Sequence, residues 1–429
     1  MSQPPHPTVI GLDFGTTNSV AAIAGGGHSE LVPLSSPGGL DPVFRSALCF
    51  WEDDGGLSAE AGPWAIAEYL DYPQGSRFIQ SFKSVAASAN FEHATIFDKR
   101  HTFEDLGRLF VDRMAQRSVG LLGAGARRIV VGRPVAYAGH RPDEALARRR
   151  YDAVFAKLGT ELHYVYEPLG AAYSFAAGLS EPATILVADF GGGTSDFSVV
   201  RIAEPGAARR CLPLGHAGVG IAGDRFDYRI LDNLVLPLLG KGGHYRSFGK
   251  LLEIPGGYFS DFADWSRLAL MRNRRTLAEL DTLRRAAVDP APIERMIAVV
   301  EQELGYRLYD AVGRVKRDLS AHEAALFRFE GGGLSIEAEV TRAAFEGWIA
   351  PDIERIDEAV TEALARAGIG PEAIDRIFLT GGSSLIPRIR RLFEERFDAG
   401  RIATGNELTS IAHGLALIGE EDDVAAWAA

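Results

Sequence analysis

Two segments carry the residues best suited to chemistry, Asp13-Phe-Gly-Thr-Thr17 followed by Asn18, and Asp189-Phe-Gly-Gly-Gly-Thr194. In each, an Asp closes an apolar run and small or hydroxylated residues follow. Successive backbone N–H groups in such a bend can converge on phosphate oxygens, from Gly15, Thr16 and Thr17 in one and from Gly191, Gly192, Gly193 and Thr194 in the other. Asp13 and Asp189 then stand where they can hold Mg²⁺ through its waters, because that ion keeps most of its hydration and needs few direct carboxylates. One such bend alone is equally an ordinary hairpin turn. Two of them on matched apolar runs argue for a phosphate cradle.

Two further Gly-rich stretches would let backbone approach a flat or phosphorylated group: Gly218 to Asp224, with Gly220 and Gly223, and Thr380-Gly381-Gly382-Ser383-Ser384. Lys316 and Ser320 share a helical face at i, i+4 with Arg317 beside them, a pattern that a solvated face would also give. The chain contains no GxxxxGK[ST], HExxH or GxSxG, which excludes P-loop, zinc-protease and nucleophile-elbow chemistry.

The bends need strands to hold them. Residues 9–23 and 185–200 each read as strand, tight turn and antiparallel strand, an internal repeat on the scale of a duplicated domain. The repeat predicts two similar halves facing each other across a cleft. Between the copies the pattern gives a variable stretch, helices and one more strand. The helices fall at 102–122 (Thr102 as N-cap, Asp105 three residues on), 143–158 and 170–178, and the strand at 128–131. After the second copy, 215–224 reads as a loop leading into a helix at about 226–236. Residues 240–293 read as irregular, with a charged helix near 276–286. One long helix then spans about 293–320, its stripe made of Ile297, Val300, Leu304, Leu308, Ala311, Val315 and Leu319. A helix at 341–367 is stopped by Gly368, a strand covers 376–380, a helix starts at Ser383, and the last helix covers 410–418. Strands alternating with helices in two related halves make an α/β fold.

Length and composition bound the rest. The 429 residues are enough for two or more lobes, and 46% hydrophobic against 24% charged residues supports large cores. Lys plus Arg number 45 against 57 Asp plus Glu, a net charge of −12, which disfavours nucleic acid and anionic membrane as partners. Cys49 and Cys211 alone support neither a disulfide framework nor a thiolate metal site. No apolar run approaches the roughly 18 residues of a membrane span, and the N-terminus has no signal-peptide pattern, so a cytoplasmic protein is expected.

Seven motifs in order, Asp13-Phe-Gly-Thr-Thr17, Val131-Gly-Arg-Pro134, Glu167-Pro-Leu-Gly-Ala-Ala172, Asp189-Phe-Gly-Gly-Gly-Thr194, Gly220-Ile-Ala-Gly-Asp224, Lys316-Arg317 with Ser320, and Gly381-Gly-Ser383, resemble the actin-like ATPase domain of DnaK-type heat-shock chaperones. Within that family the chain is most similar to the short YegD-like branch, and the similarity spans residues 8–419. The resemblance implies two duplicated ribonuclease-H-like lobes around a central nucleotide cleft. The first lobe would cover 1–184 and the second 185–429, with a peripheral subdomain at about 225–320 and an adenosine-binding segment at 376–397. It implies ATP or ADP with Mg²⁺ as ligands, and a client or co-chaperone protein as a further partner. Thr16 and Thr194 would lie near the γ-phosphate, and Lys83 would position that phosphate and the attacking water. Asp189 and Asp196 would serve Mg²⁺ and the water, Pro134 and Glu167 would relay nucleotide state between lobes, and Lys316, Arg317, Ser320, Gly382 and Ser383 would grip adenosine.

The chain also departs from that pattern. Gly313 stands where the chaperones carry a ribose-binding Glu, Leu385 where many carry an adenine-stacking Arg, and Leu408 where an acidic residue ends the domain. The short tail after Ile418 leads to the expectation that no peptide-clamping domain follows. The leading expectation is an ATP-hydrolysing, chaperone-like protein. A non-catalytic nucleotide-gated scaffold or filament protein, and a small-molecule kinase on the same fold, are the alternatives.

Overall fold

Both bends sit between antiparallel strands, as the repeat predicts. Val9–Phe14 pairs with Asn18–Gly25, and Ala183–Phe190 pairs with Ser195–Ile202. The computed structural model describes residues 9–427 except 74, 123–125, 140, 205–210, 264–267, 269–270 and 405–407. Ile185, Leu186, Val187 and Ala188 are all fully buried, the mark of a central strand covered on both faces.

The two sheets repeat one scheme. The first runs Gly159–Tyr166, Ala126–Arg133, Val9–Phe14, Asn18–Gly25, His28–Leu31, with Val43–Arg45 also paired to Asn18–Gly25. The second runs Ile402–Thr404, Arg376–Thr380, Ala183–Phe190, Ser195–Ile202, Cys211–Val219. Along each path the first three strands are parallel neighbours and the last three antiparallel. Helices Glu167–Ala176 and Ser410–Ile418 cross between the sheets. They meet at two glycines, so closely that a Cβ on Gly414 would stand 1.7 Å from the Gly170 carbonyl oxygen. Among the described residues no helix is long and apolar enough to cross a membrane.

Several elements differ from the sequence reading. The region before Thr102 is rich in short strands, such as Ala47–Asp53 between Gly56–Ala61 and Ser76–Gln80, where only a variable stretch was expected. Runs this short carry too little alternation to register. The Thr102 helix starts as predicted, with Thr102 and Asp105 forming a reciprocal cap, but ends at Arg117, where the Ser118 hydroxyl turns back to donate to the Ala115 carbonyl. The Ala-rich helix begins earlier than predicted, at Glu167.

Gly215 to Val219 is strand rather than loop. Its glycines answer to packing: a Cβ on Gly215 would lie 2.5 Å from Ala367 N, and one on Gly218 would lie 2.4 Å from Asp196 Oδ1. Residues 240–293 hold a hairpin, His244–Ser247 with Lys250–Glu253, before the charged helix Arg274–Ala286. The long helix is two helices, Ala291–Glu301 and Gly305–Ala321. Between them Glu303 adopts φ 52°, pairs with Arg272 at 2.6 Å and with Arg77, and accepts the Tyr69 hydroxyl on its carbonyl at 2.7 Å. That break rotates the stripe, so Met296 and Val299 are buried whereas Ile297 is only partly so.

Candidate functional site

The two bends face each other. A Cβ on Gly192 would stand 2.2 Å from Thr17 Oγ1, and one on Gly193 would stand 3.3 Å from Thr16 Oγ1. Each bend is fastened from behind. Ser46 N donates to the Thr17 carbonyl at 2.9 Å and Ser46 Oγ donates to the Gly15 carbonyl at 2.7 Å. On the other side Asp224 N donates to the Gly192 carbonyl at 2.8 Å, and Gly223 N and Ser383 Oγ reach the Gly191 carbonyl at 3.3 and 3.4 Å. Gly191 N donates within the second bend, to the Thr194 carbonyl at 3.0 Å, so with these carbonyls occupied outward Gly15 to Thr17 and Gly192 to Thr194 are the residues whose N–H groups can serve the space between the bends.

That space is a cavity of about 830 Å³, within the size range of small-molecule sites. Asp13, Gly15, Thr16, Thr17, Asn18, Lys83, Glu167, Asp189, Gly191 to Thr194, Gly220, Gly223, Asp224, Lys316, Arg317, Ser320 and Gly381 to Ser383 line it, together with the departures Gly313, Leu385 and Leu408. Two sequence-predicted residues lie outside the lining, Asp196 and Pro134. Asp196 is fully buried behind the second bend, opposite Asp189 in the strand register, where Oδ1 accepts from Val135 N at 2.8 Å and Ala136 N at 3.1 Å. It therefore clamps the segment that follows Pro134.

Electrostatics single out the floor of the cavity. Lys83 sits in the helical turn Phe82–Val85 and donates to Glu167 Oε1 at 2.6 Å, with both side chains nearly sealed. Burial alone would lower the Lys83 pKa, but Glu167 and Asp13 overcome it and hold the ammonium above its usual value. Burial, then Glu167, push Asp13 up to about 8 against the pull of Lys83. Burial, Glu167, Asp13 and Asp196 push Asp189 well above the carboxylate range. Asp196 is pushed up to about 7 by burial and Glu167, despite the hydrogen bonds it accepts, and its Oδ2 is buried without a partner among the described residues.

Three carboxyl groups, Asp13, Glu167 and Asp189, line the floor around one ammonium, with Asp196 buried behind them, which leaves the floor short of positive charge. A divalent cation with a hydration shell fits that deficit. Among the described residues no three acidic, imidazole or thiol groups are placed to chelate an ion directly, so Asp13 and Asp189 would reach it through water.

The remaining wall is built from Lys316, Ser320 and the turn at Gly381 to Ser383. Lys316 Nζ donates to the Gly223 carbonyl at 3.0 Å and pairs with Asp227 at 2.8 Å, and Ser320 Oγ donates to the Lys316 carbonyl. Gly381 has φ 80°, and a Cβ there would also strike the Phe190 carbonyl, 2.2 Å away, so the position needs Gly on both counts, whereas nothing lies within 4 Å of the Cβ position on Gly382. Leu385 and Leu408 are exposed at this end.

Residues 294–421 match the family model of the Hsp70 protein. The match covers less than a third of the chain and contains the wall from Gly313 to Leu408 but neither bend. Over that segment the chain is similar to Hsp70 proteins, which points to a nucleotide-binding, chaperone-like function without extending the match to the rest of the chain.

The sequence reading missed Arg45, Asp227, Tyr306 and Asp310, which also line the cavity. Asp227 was within reach, because it follows Asp224 by one helical turn and shares its face. Arg45 belongs to no motif and reaches the cavity only through the pairing of Val43–Arg45 with Asn18–Val20.

Proposed function

We propose that the chain is an ATP-binding, ATP-hydrolysing, chaperone-like protein of the actin-like type, with duplicated ribonuclease-H-like lobes at 1–184 and 185–429. The observation that carries this reading is the pair of matched bends closing one cavity from opposite sheets. The N–H groups of Gly15 to Thr17 and Gly192 to Thr194 would hold the phosphates of ATP or ADP, with Gly191 closing the second bend through its bond to the Thr194 carbonyl, and Lys316, Arg317, Ser320, Gly382 and Ser383 would take the adenosine. Mg²⁺, when bound, would neutralise phosphate charge and supply the countercharge that Asp13 and Asp189 lack.

Phosphoryl transfer leaves the protein mainly positioning and charge stabilisation. Lys83, fixed by Glu167, would orient the attacking water and offset charge on the transferring group. Asp189, which lines the cavity, would take up the water's proton, and Asp196, buried behind the second bend opposite it, would act through Asp189 rather than on the water itself. Asp196 also grips Val135 and Ala136, so its charge state would be felt beside Pro134 in the other lobe. The sequence relationship to the YegD-like branch, a cytoplasmic location, and a client or co-chaperone partner belong to the same proposal.

The test is ATP binding by calorimetry and phosphate release by the purified chain, with and without Mg²⁺. Mg²⁺-dependent release without an added acceptor is expected. Absence of nucleotide binding by folded protein would overturn the reading. A scaffold that binds ATP without turnover has one observation in its favour, the engagement of Lys83 by Glu167, and tight binding with no release would select it.

A further inference from the structure

Arg45 is an unassigned cation inside the cavity. It ends the strand Val43–Arg45 and stands opposite Asn18, the first residue after the Gly15–Thr17 bend. The next residue, Ser46, is the one that fastens that bend through Thr17 and Gly15, and its Oγ also meets Ser19 Oγ at 2.9 Å. The backbone carrying Arg45 is thus locked to the bend. Its side chain is far less committed. Among the described residues the guanidinium enters no ion pair, and its hydrogen bond to Asn18 Oδ1 is long, at 3.5 Å. Asp227 across the cavity already has Lys316. Burial pulls the Arg45 pKa down, Asp224, Tyr306 and Asp227 partly restore it, and Arg317 on the opposite wall adds to the strain.

A partly buried guanidinium with unspent donors is costly unless an anion completes it, and its planar fork matches phosphate oxygens. We propose that Arg45 is a ligand of the nucleotide's polyphosphate, reaching it from the first sheet beside the Gly15–Thr17 bend. This rests on the nucleotide reading above and adds a binding residue that no motif marks. The guanidinium would then meet the phosphates from one wall while Lys316 and Arg317 flank the ligand from the other.

The experiment compares MgADP with adenosine, which lacks the phosphates, by calorimetry on the full chain and on Arg45→Gln and Arg45→Lys, with melting curves to confirm folding. Arg45→Gln should lose roughly 10–100-fold in MgADP affinity, the scale of a lost charge-assisted contact, with adenosine affinity changed by less than about 3-fold. Arg45→Lys should recover part of the loss. Equal losses for both ligands would make Arg45 a wall support, and unchanged MgADP affinity would leave it without a role; either overturns the proposal while the nucleotide reading stands. A folded parent that binds neither ligand would overturn both.

Discussion

Replacing Asp196 by Asn should make the nucleotide-free protein progressively more stable than the parent as pH rises. The carboxyl is fully buried, faces Asp189 across the strand pair, and is raised by burial and Glu167 from an ordinary 3.8 to about 7. A group whose pKa is raised on folding contributes stability that is complete below 3.8 and is lost as pH climbs, the loss levelling off above about 7. Each pH unit inside that window is worth about 1.4 kcal/mol. Between pH 5 and pH 7 the parent should therefore lose up to about 3 kcal/mol that the variant keeps. Its neighbour Asp189 ionises more readily once Asp196 is neutral, which reduces the difference to about 2 kcal/mol. Asn keeps an oxygen for the amides of Val135 and Ala136, so the clamp on that segment survives. With an unfolding entropy of about 0.9 kcal/mol/K for a chain of this size, the gap in melting temperature is about 2–3 °C. Parent and variant are melted side by side without nucleotide, in chelator, from pH 5 to pH 8. The gap should open in favour of the variant and stop widening near pH 7. A gap that stays flat, or that turns toward the parent as pH rises, refutes the raised pKa and the charge deficit built on it.

Asp13→Asn and Asp189→Asn should each weaken Mg²⁺-dependent nucleotide binding by roughly 10–100-fold, and calorimetry that finds parental affinity in both would remove the two-bend phosphate site. Lys83→Met should slow phosphate release roughly 10²–10³-fold with a much smaller change in MgATP affinity, read in single-turnover assays; hydrolysis at the parental rate would dismiss Lys83 from the reaction. Gly382→Val should weaken adenosine binding and leave the melting temperature unchanged, because its Cβ would enter space with no protein atom within 4 Å. A Gly382→Val protein that melts early would mean that the turn is packed against something else.

What could be read from the sequence, and what could not, divides along physical lines. The bends were legible because Asp-Phe-Gly occurs twice on apolar runs that have to be strands, and strand direction then fixes which residues share a turn. The caps at Thr102 and Gly368 were legible because capping is local chemistry. The break at Glu303 was not, because the helical stripe runs through it, and Gly305 two residues on is a residue that a helix interior also tolerates. Glu303 is held there by Arg77 and Tyr69, more than 200 positions away. The glycines at 215 and 218 looked like a loop because a Gly needed for close packing and a Gly needed for a turn are identical in one dimension. Arg45 was invisible for a related reason: nothing beside it in the chain shares its purpose.

The glycine crossing of Glu167–Ala176 over Ser410–Ile418 has a mechanical consequence. Ordinary helix pairs interlock through ridges of side chains that must climb over one another before either helix can swing. Here backbone rests on backbone at Gly170 and Gly414, with the Leu415 side chain packed beside Gly170. The contact sets how closely the two helices approach, so it acts as a stop between the two sheets, with Glu167–Ala176 as one arm of the crossing. Glu167 begins one of the crossing helices, so the carboxylate that fixes Lys83 rides on the arm itself. A methyl group at residue 170 or 414 would act as a shim under that arm, tilting Glu167 away from Lys83 from a place no ligand touches.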